Sequence, residues 1–83
     1  MSMELLKAGA KHVIGVKQTA KAIEKGTAKI VFVASDAEAG VVEPLLRACA
    51  EAGLAYEETA TMQELGKACG IHVGAAAAAI LKD

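Results

Sequence analysis

The spacing of apolar residues changes several times along the chain, and each change marks an element. MELLKAGAK, residues 3–11, places Met3, Leu6 and Ala10 on one face of a helix. Val13-Ile14-Gly15 is a short apolar stretch that suits a strand. Helical spacing returns over Lys17–Lys25, with Val16, Ala20 and Ile23 facing inward. Gly26 stands where a left-handed helix stop is wanted. IVFVA, residues 30–34, is a continuous apolar run of mostly β-branched and aromatic residues, as in a strand covered on both faces. Residues 35–40 form a polar loop of small side chains. Val42, Leu45, Leu46, Cys49 and Ala52 make the next helical stripe. Pro44 suits only a first turn, so this helix is expected to start near Val41–Glu43 and to end at Gly53. Leu54–Glu58 reads as a short strand. Thr61-Met62-Gln63-Glu64 fits a capping box at the head of a helix whose stripe is Met62, Leu65 and Cys69 and whose stop is Gly70.

The last segment, GAAAAAILKD, supports two readings. Alanine is the best helix former, yet a glycine stop and IHVG leave little room for a further helix. The rival is a strand of small residues that lets helices pack close. Strand–helix–strand units with helices of about ten residues imply a mostly parallel, helix-covered sheet. The expected fold class is α/β, a three-layer α-β-α sandwich. The 83 residues are expected to form a single domain, 1–83, without repeats or linkers.

Composition narrows the function. Hydrophobic residues are 54% of the chain and charged residues 23%, the balance of a folded protein. Aromatics are 2%, with no Trp, which argues against stacking of single-stranded bases on aromatic platforms. The net charge of −1 argues against indiscriminate nucleic-acid binding. The total hides an asymmetry. Up to Lys29 the chain carries six lysines and two acids; beyond it lie three cations and eight acids. Such a split suggests an interaction face, although lysines also serve simply to solvate helices. Cys49 and Cys69 fall on apolar helix faces without metal-ligand spacing, so free thiols in a reducing cytoplasm are expected. No signal-peptide core and no run long enough to span a bilayer is present, so no membrane association is expected.

No constellation for catalysis emerges. Ser2 and Ser35 are the only serines, and neither lies in a nucleophile elbow. His12 and His72 are sixty residues apart. Asp36 follows the IVFVA strand, where α/β proteins often place ligands, but a loop-starting or helix-capping aspartate is the preferred reading. Cys69 would sit at a helix C-terminus, which disfavours a thiolate. GAKHVIG lacks the spacing of a phosphate loop. No catalytic residue, metal site or cofactor is therefore expected.

Binding has more support. Lys17, Lys21 and Lys25 stand at i, i+4 and i+8 on one helix face, where like charges repel. Lys17 and Gln18 lie at a helix N-terminus, whose amides attract phosphate. Gln18 adds an amide that both donates and accepts, suited to a base edge. A solvated helix surface explains the same stripe equally well. Gly70-Ile71-His72-Val73-Gly74 sets two aliphatics and a histidine between glycines. The residues by themselves favour Ile71 and Val73 turning into the core; the alternative is that they pack against an unstacked base.

Taken together, HVIGVKQTAKAIEKG, then IVFVASDA, then MQELGKACGIHVGAAAAAI resembles the ribosomal protein L-seven-Ae/L-thirty-e family. Within it, the chain is similar to the short bacterial YbxF-like branch of kink-turn RNA binders. The resemblance covers nearly the whole chain. It implies a four-stranded mixed sheet and makes the alanine run a closing strand. It implies binding to kink-turn RNA, a sharply bent internal loop with sheared G·A pairs. By position it assigns Gly15, Lys17, Gln18 and Lys21 to the widened groove, and Ile71, His72, Val73 and Gly74 to the extruded nucleotide. Lys11 and Lys25 are phosphate contacts on charge grounds alone. One departure stands out: archaeal and eukaryotic members carry Asn-Glu where this chain has Lys17-Gln18, so the pattern of base contacts must differ.

Two functions of different class follow. The first is a non-enzymatic, monomeric cytoplasmic protein that stabilises kink-turns in ribosomal RNA or in a structured mRNA such as a riboswitch, in association with the ribosome. The second is a ribosome-associated structural or protein-interaction module without direct kink-turn recognition.

Overall fold

The computed structural model describes residues 3–58 and 60–82. Helices and strands alternate: α1 (Met3–Lys7), β1 (His12–Ile14), α2 (Val16–Lys25), β2 (Ala28–Val33), α3 (Ala39–Ala52), β3 (Tyr56–Glu57), α4 (Met62–Ala68) and β4 (Ala77–Leu81). The strands form one four-stranded sheet in the order β1-β4-β2-β3. β4 runs antiparallel to both β1 and β2, while β2 and β3 are parallel. The sheet is therefore mixed, and the expectation of a mostly parallel sheet is corrected. β1 and β2 do point the same way, as their crossover through α2 requires. The last strand then inserts between them, so neither touches the other.

Alternation along the central strands divides the core into two layers. Val31 and Val33 of β2, with Ala77 and Ala79 of β4, face α2 and α3. Phe32 and Ala34, with Ala78 and Ile80, face α1 and α4. A strand buried on both sides cannot show polar alternation, which explains the continuous apolar runs at residues 30–34 and 75–81. Ala77, Ala78 and Ala79 are fully buried. Their small side chains let both helical layers approach the strand closely, and the alanine run is a strand rather than a helix.

Element boundaries shift where backbone geometry overrules the apolar pattern. The first helix ends at Lys7, not residue 11, because Gly9 takes a φ of 88°. α3 starts at Ala39, so Pro44 lies in its second turn rather than its first. Having no N–H, Pro44 leaves the Gly40 carbonyl without its usual donor. The strand expected over Leu54–Glu58 is reduced to Tyr56–Glu57 at the sheet edge. On α2 the fully buried face is Thr19, Ala22 and Ile23, with Val16 and Ala20 half-buried beside it. Gly26 and Gly53 end their helices in the left-handed conformation, as expected.

Candidate nucleic-acid interface

The start of α2 is shaped by Gly15. Its φ of 99° and ψ of 156° belong to a region that L side chains rarely adopt. The turn lets the Gly15 N–H reach the Ala77 carbonyl at 2.8 Å, which ties the helix entrance to the start of β4. No side chain caps the helix. The first intrahelical bond runs from the Thr19 N–H to the Gly15 carbonyl at 2.9 Å. The amides of Val16, Lys17 and Gln18 thus precede the hydrogen-bond ladder, at the positive end of the helix dipole. Lys17 and Gln18 are exposed there, and Lys21 and Lys25 are exposed farther along.

The α4–β4 loop reaches the same end of the sheet, because Ile14 of β1 is paired with Ala78 of β4. α4 holds this loop tightly. The Ile71 N–H bonds the Gly66 carbonyl at 3.0 Å, and the Ala75 N–H bonds the Met62 carbonyl at 3.0 Å. A Cβ on Gly66 would collide with the Val73 carbonyl oxygen, so only glycine admits this approach. The loop backbone is fastened while one of its side chains faces outward: Val73 is 70% exposed, the most exposed large hydrophobic residue described. His72 is also exposed, whereas Ile71 is half-buried against the α1/α4 core. The residues by themselves favour both aliphatics turning inward; Ile71 does, but Val73 does not, and that expectation is corrected because α4 holds the loop backbone with Val73 outward. Ile71, His72, Val73 and Gly74 border a hollow of about 220 Å³ together with Gln63 and Lys67. Those last two were not expected, although their i, i+4 spacing just before the loop was available as a signal.

The lysine stripe divides in space. Gln18, Lys21 and Lys25 share a shallow groove of about 280 Å³ with Lys11, Val13, Thr27 and Lys82, and Lys17 is not part of its lining. In sequence, Lys82 belongs to the acidic part of the chain. Sequence distance conceals that the end of β4 lies beside Lys11: the Leu81 N–H bonds the Lys11 carbonyl at 2.9 Å.

The residues weighed for catalysis have structural tasks. The Asp36 carboxylate accepts the Met62 N–H at 2.7 Å and so caps α4 from the β2–α3 loop. Of the two structural readings of Asp36 this is the capping one, directed at a helix distant in sequence. His12 donates from Nδ1 to the Ala10 carbonyl at 2.7 Å. The Ser35 N–H bonds the Ala60 carbonyl at 2.7 Å, and Ser2 lies outside the described residues. Cys49 is fully buried and Cys69 half-buried; both are free, and burial pushes each thiol pKa up. The rise leaves the thiolate, the reactive form, less populated. No group of three or more potential metal ligands occurs among the described residues, and none of their helices is long and apolar enough to cross a membrane.

Comparison with known proteins gives a consistent result. An RNA-binding protein of Geobacillus thermodenitrificans is 45% identical over 82 residues, covering 99% of this chain and all of that one. The RNA-binding protein YbxF of Geobacillus stearothermophilus is likewise 45% identical over 82 residues, with the same coverage. The large ribosomal subunit protein eL8 of Nitrosopumilus maritimus is 46% identical over 68 residues, 81% of this chain and 53% of that protein. Among solved structures, the 15.5kD RNA binding protein of Giardia lamblia superposes with a TM-score of 0.90 at 30% identity, covering 98% of this chain and 71% of that one. The family match itself spans residues 2–83, and the chain belongs to the ribosomal protein L7Ae/L30e/S12e/Gadd45 family.

Proposed function

We propose that this chain is a non-enzymatic RNA-binding protein that recognises and stabilises kink-turns in structured RNA. One observation carries the reading. The uncapped start of α2, flanked by Lys17 and Gln18, and the exposed Val73 loop lie at the same end of the sheet. A regular A-form helix hides its base edges in a deep, narrow groove, whereas a kinked internal loop exposes them. A positive helix end beside an aliphatic knob suits that geometry: amides and Lys17 meet phosphate, Gln18 meets a base edge, and Val73 covers an extruded nucleotide. Gly15 and Gly74 shape the two backbones; Lys21 continues the phosphate track, and Ile71 and His72 complete the loop. Lys11 and Lys25 add phosphate contacts at longer range.

The names of the Geobacillus relatives and of the Giardia structure support RNA as the partner. The ribosomal-subunit name of the Nitrosopumilus relative supports ribosomal RNA as one source and association with the ribosome. The same proposal places a monomeric protein in the cytoplasm, where its thiols stay reduced. It would act by population shift, holding the kinked conformer in preference to the extended one.

Binding to a kink-turn RNA is to be measured beside a plain duplex of equal length, across a range of salt. Tighter binding to the kink-turn is expected. Lys17→Ala and Lys21→Ala should each lower the log–log salt slope by about 0.7–0.9. Equal affinity for both RNAs would refute kink-turn recognition.

A further inference from the structure

The loop that carries Val73 is closed at its base by a ring of hydrogen bonds, and the ring passes through Asp36. The Asp36 carboxylate accepts the Met62 N–H at 2.7 Å. On its other side, Met62 offers its carbonyl to the Ala75 N–H at 3.0 Å, just past the loop. The next carbonyl, that of Ala76, accepts the Ala34 N–H at 2.9 Å, which returns the ring to the corner that holds Asp36. From the same corner, the Ser35 N–H bonds the Ala60 carbonyl at 2.7 Å and so secures the approach to α4. Residues 34–36 thus hold the unit of α4 and its loop at both ends, before Met62 and at Ala76. Small residues permit this closeness. Ala34, Ala60 and Ala75 are buried in one cluster, and a Cβ on Gly74 would stand 3.2 Å from the Met62 Cβ.

The bonds made by Ala34, Ser35 and Ala75 join backbone groups and do not depend on side-chain identity. The bond to Met62 needs an acceptor on the side chain of residue 36. Met62 opens α4, so its N–H has no partner within the helix. Without the acceptor that N–H must turn to water, and the residue that anchors the loop exit loses one of its two fixed ends. We infer that Asp36 is a positioning residue for the Val73 loop: through Met62 it sets the place in which Val73 meets the extruded nucleotide. The inference rests on the kink-turn reading for the role of Val73. Asp36 acts through Met62 and not by touching RNA, since a carboxylate repels phosphate.

The test compares Asp36→Ala with Asp36→Asn. Both remove the same charge, but only asparagine keeps an oxygen that accepts the Met62 N–H. Each variant, as the full chain, is titrated with a kink-turn RNA and with the same RNA lacking the extruded base. Asp36→Ala is expected to bind the complete kink-turn about three- to fivefold more weakly than Asp36→Asn. The two should bind the RNA without that base alike. Amide hydrogen exchange gives a second readout: the Ala75 N–H should exchange faster in Asp36→Ala than in Asp36→Asn, while the amides of central strand β4 exchange equally in both. Equal affinity of the two variants for the complete RNA would overturn the inference and leave kink-turn recognition standing. An equal loss on both RNAs, or faster exchange shared by the β4 amides, would also overturn it, because either marks a general effect on the fold. Unchanged exchange at Ala75 would overturn it as well. If the wild type binds a plain duplex as tightly as the kink-turn while Ala75 exchange still rises in Asp36→Ala alone, the kink-turn reading fails and Asp36 stands as the residue that positions the loop.

Discussion

Gly66 and Val73 are complementary residues in one small region. Gly66 is buried and lets the loop backbone lie directly on α4, while Val73 projects from that loop into solvent. Gly66→Ala is expected to destabilise the fold by about 1–3 kcal/mol through overpacking, measurable by equilibrium urea unfolding. Val73→Ala should change stability by less than about 0.5 kcal/mol, because the side chain is mostly outside the core. It should nevertheless weaken kink-turn binding by about 1 kcal/mol, roughly fivefold, for the two lost methyl groups. Direct titration of the RNA checks this, and unchanged affinity would remove Val73 from the interface. Neither role was fully legible beforehand. The loop was visible as a candidate from its glycines, but which aliphatic turns outward depends on how α4 holds the backbone. Gly66 looked like an ordinary helix residue, because the neighbour that excludes a Cβ there is seven residues away.

At the scale of elements, α4 shows how local and distant capping combine. The Thr61 hydroxyl accepts the Glu64 N–H at 3.1 Å, and the Glu64 carboxylate accepts the Thr61 N–H at 3.0 Å. Asp36 adds a third bond from across the sheet. The Thr61 backbone and side-chain bonds hold the Glu64 pKa below the ordinary carboxylate range. A depressed folded-state pKa contributes stability above the unfolded value, and that contribution disappears as pH falls through the folded value. Glu64→Ala should therefore lower the unfolding midpoint at neutral pH, with the gap to wild type closing under acid. A gap that stays constant from neutral to acidic pH would show that ionised Glu64 is not what secures the helix start. The capping box was readable because its partners are three residues apart. The Asp36 bond, spanning 26 residues, depends on the β2–α3 corner reaching α4.

Across the whole molecule, the central position of β4 sets both thickness and charge. Ala78 is fully buried and packs with Phe32, Leu65 and Leu6 in the α1/α4 layer. Ala78→Leu should force that layer away from the sheet and cost about 1–3 kcal/mol, read by thermal or chemical unfolding. Tolerance without loss would mean that the small strand does not limit helix approach. The same insertion carries Lys82 to Lys11, across almost the full sequence. Net charge is −1, yet a groove lined by four lysines forms on one flank. Overall charge thus says little about the surface that meets a polyanion, since potential depends on where charges lie.

Sequence alone determined the kinds and order of the elements as far as α4, the helix stops at Gly26 and Gly53, the capping box and the two segments that carry the family resemblance, while the local pattern left the closing alanine run open between helix and strand. These depend on local periodicity, propensity and bonds between near neighbours, which any short stretch of chain already contains. Tertiary structure decided the strand order, the outward turn of Val73, the intolerance of a side chain at Gly66 and the union of Lys82 with the α2 lysines. Each depends on contacts between segments far apart in sequence, and those exist only once β4 has entered the centre of the sheet.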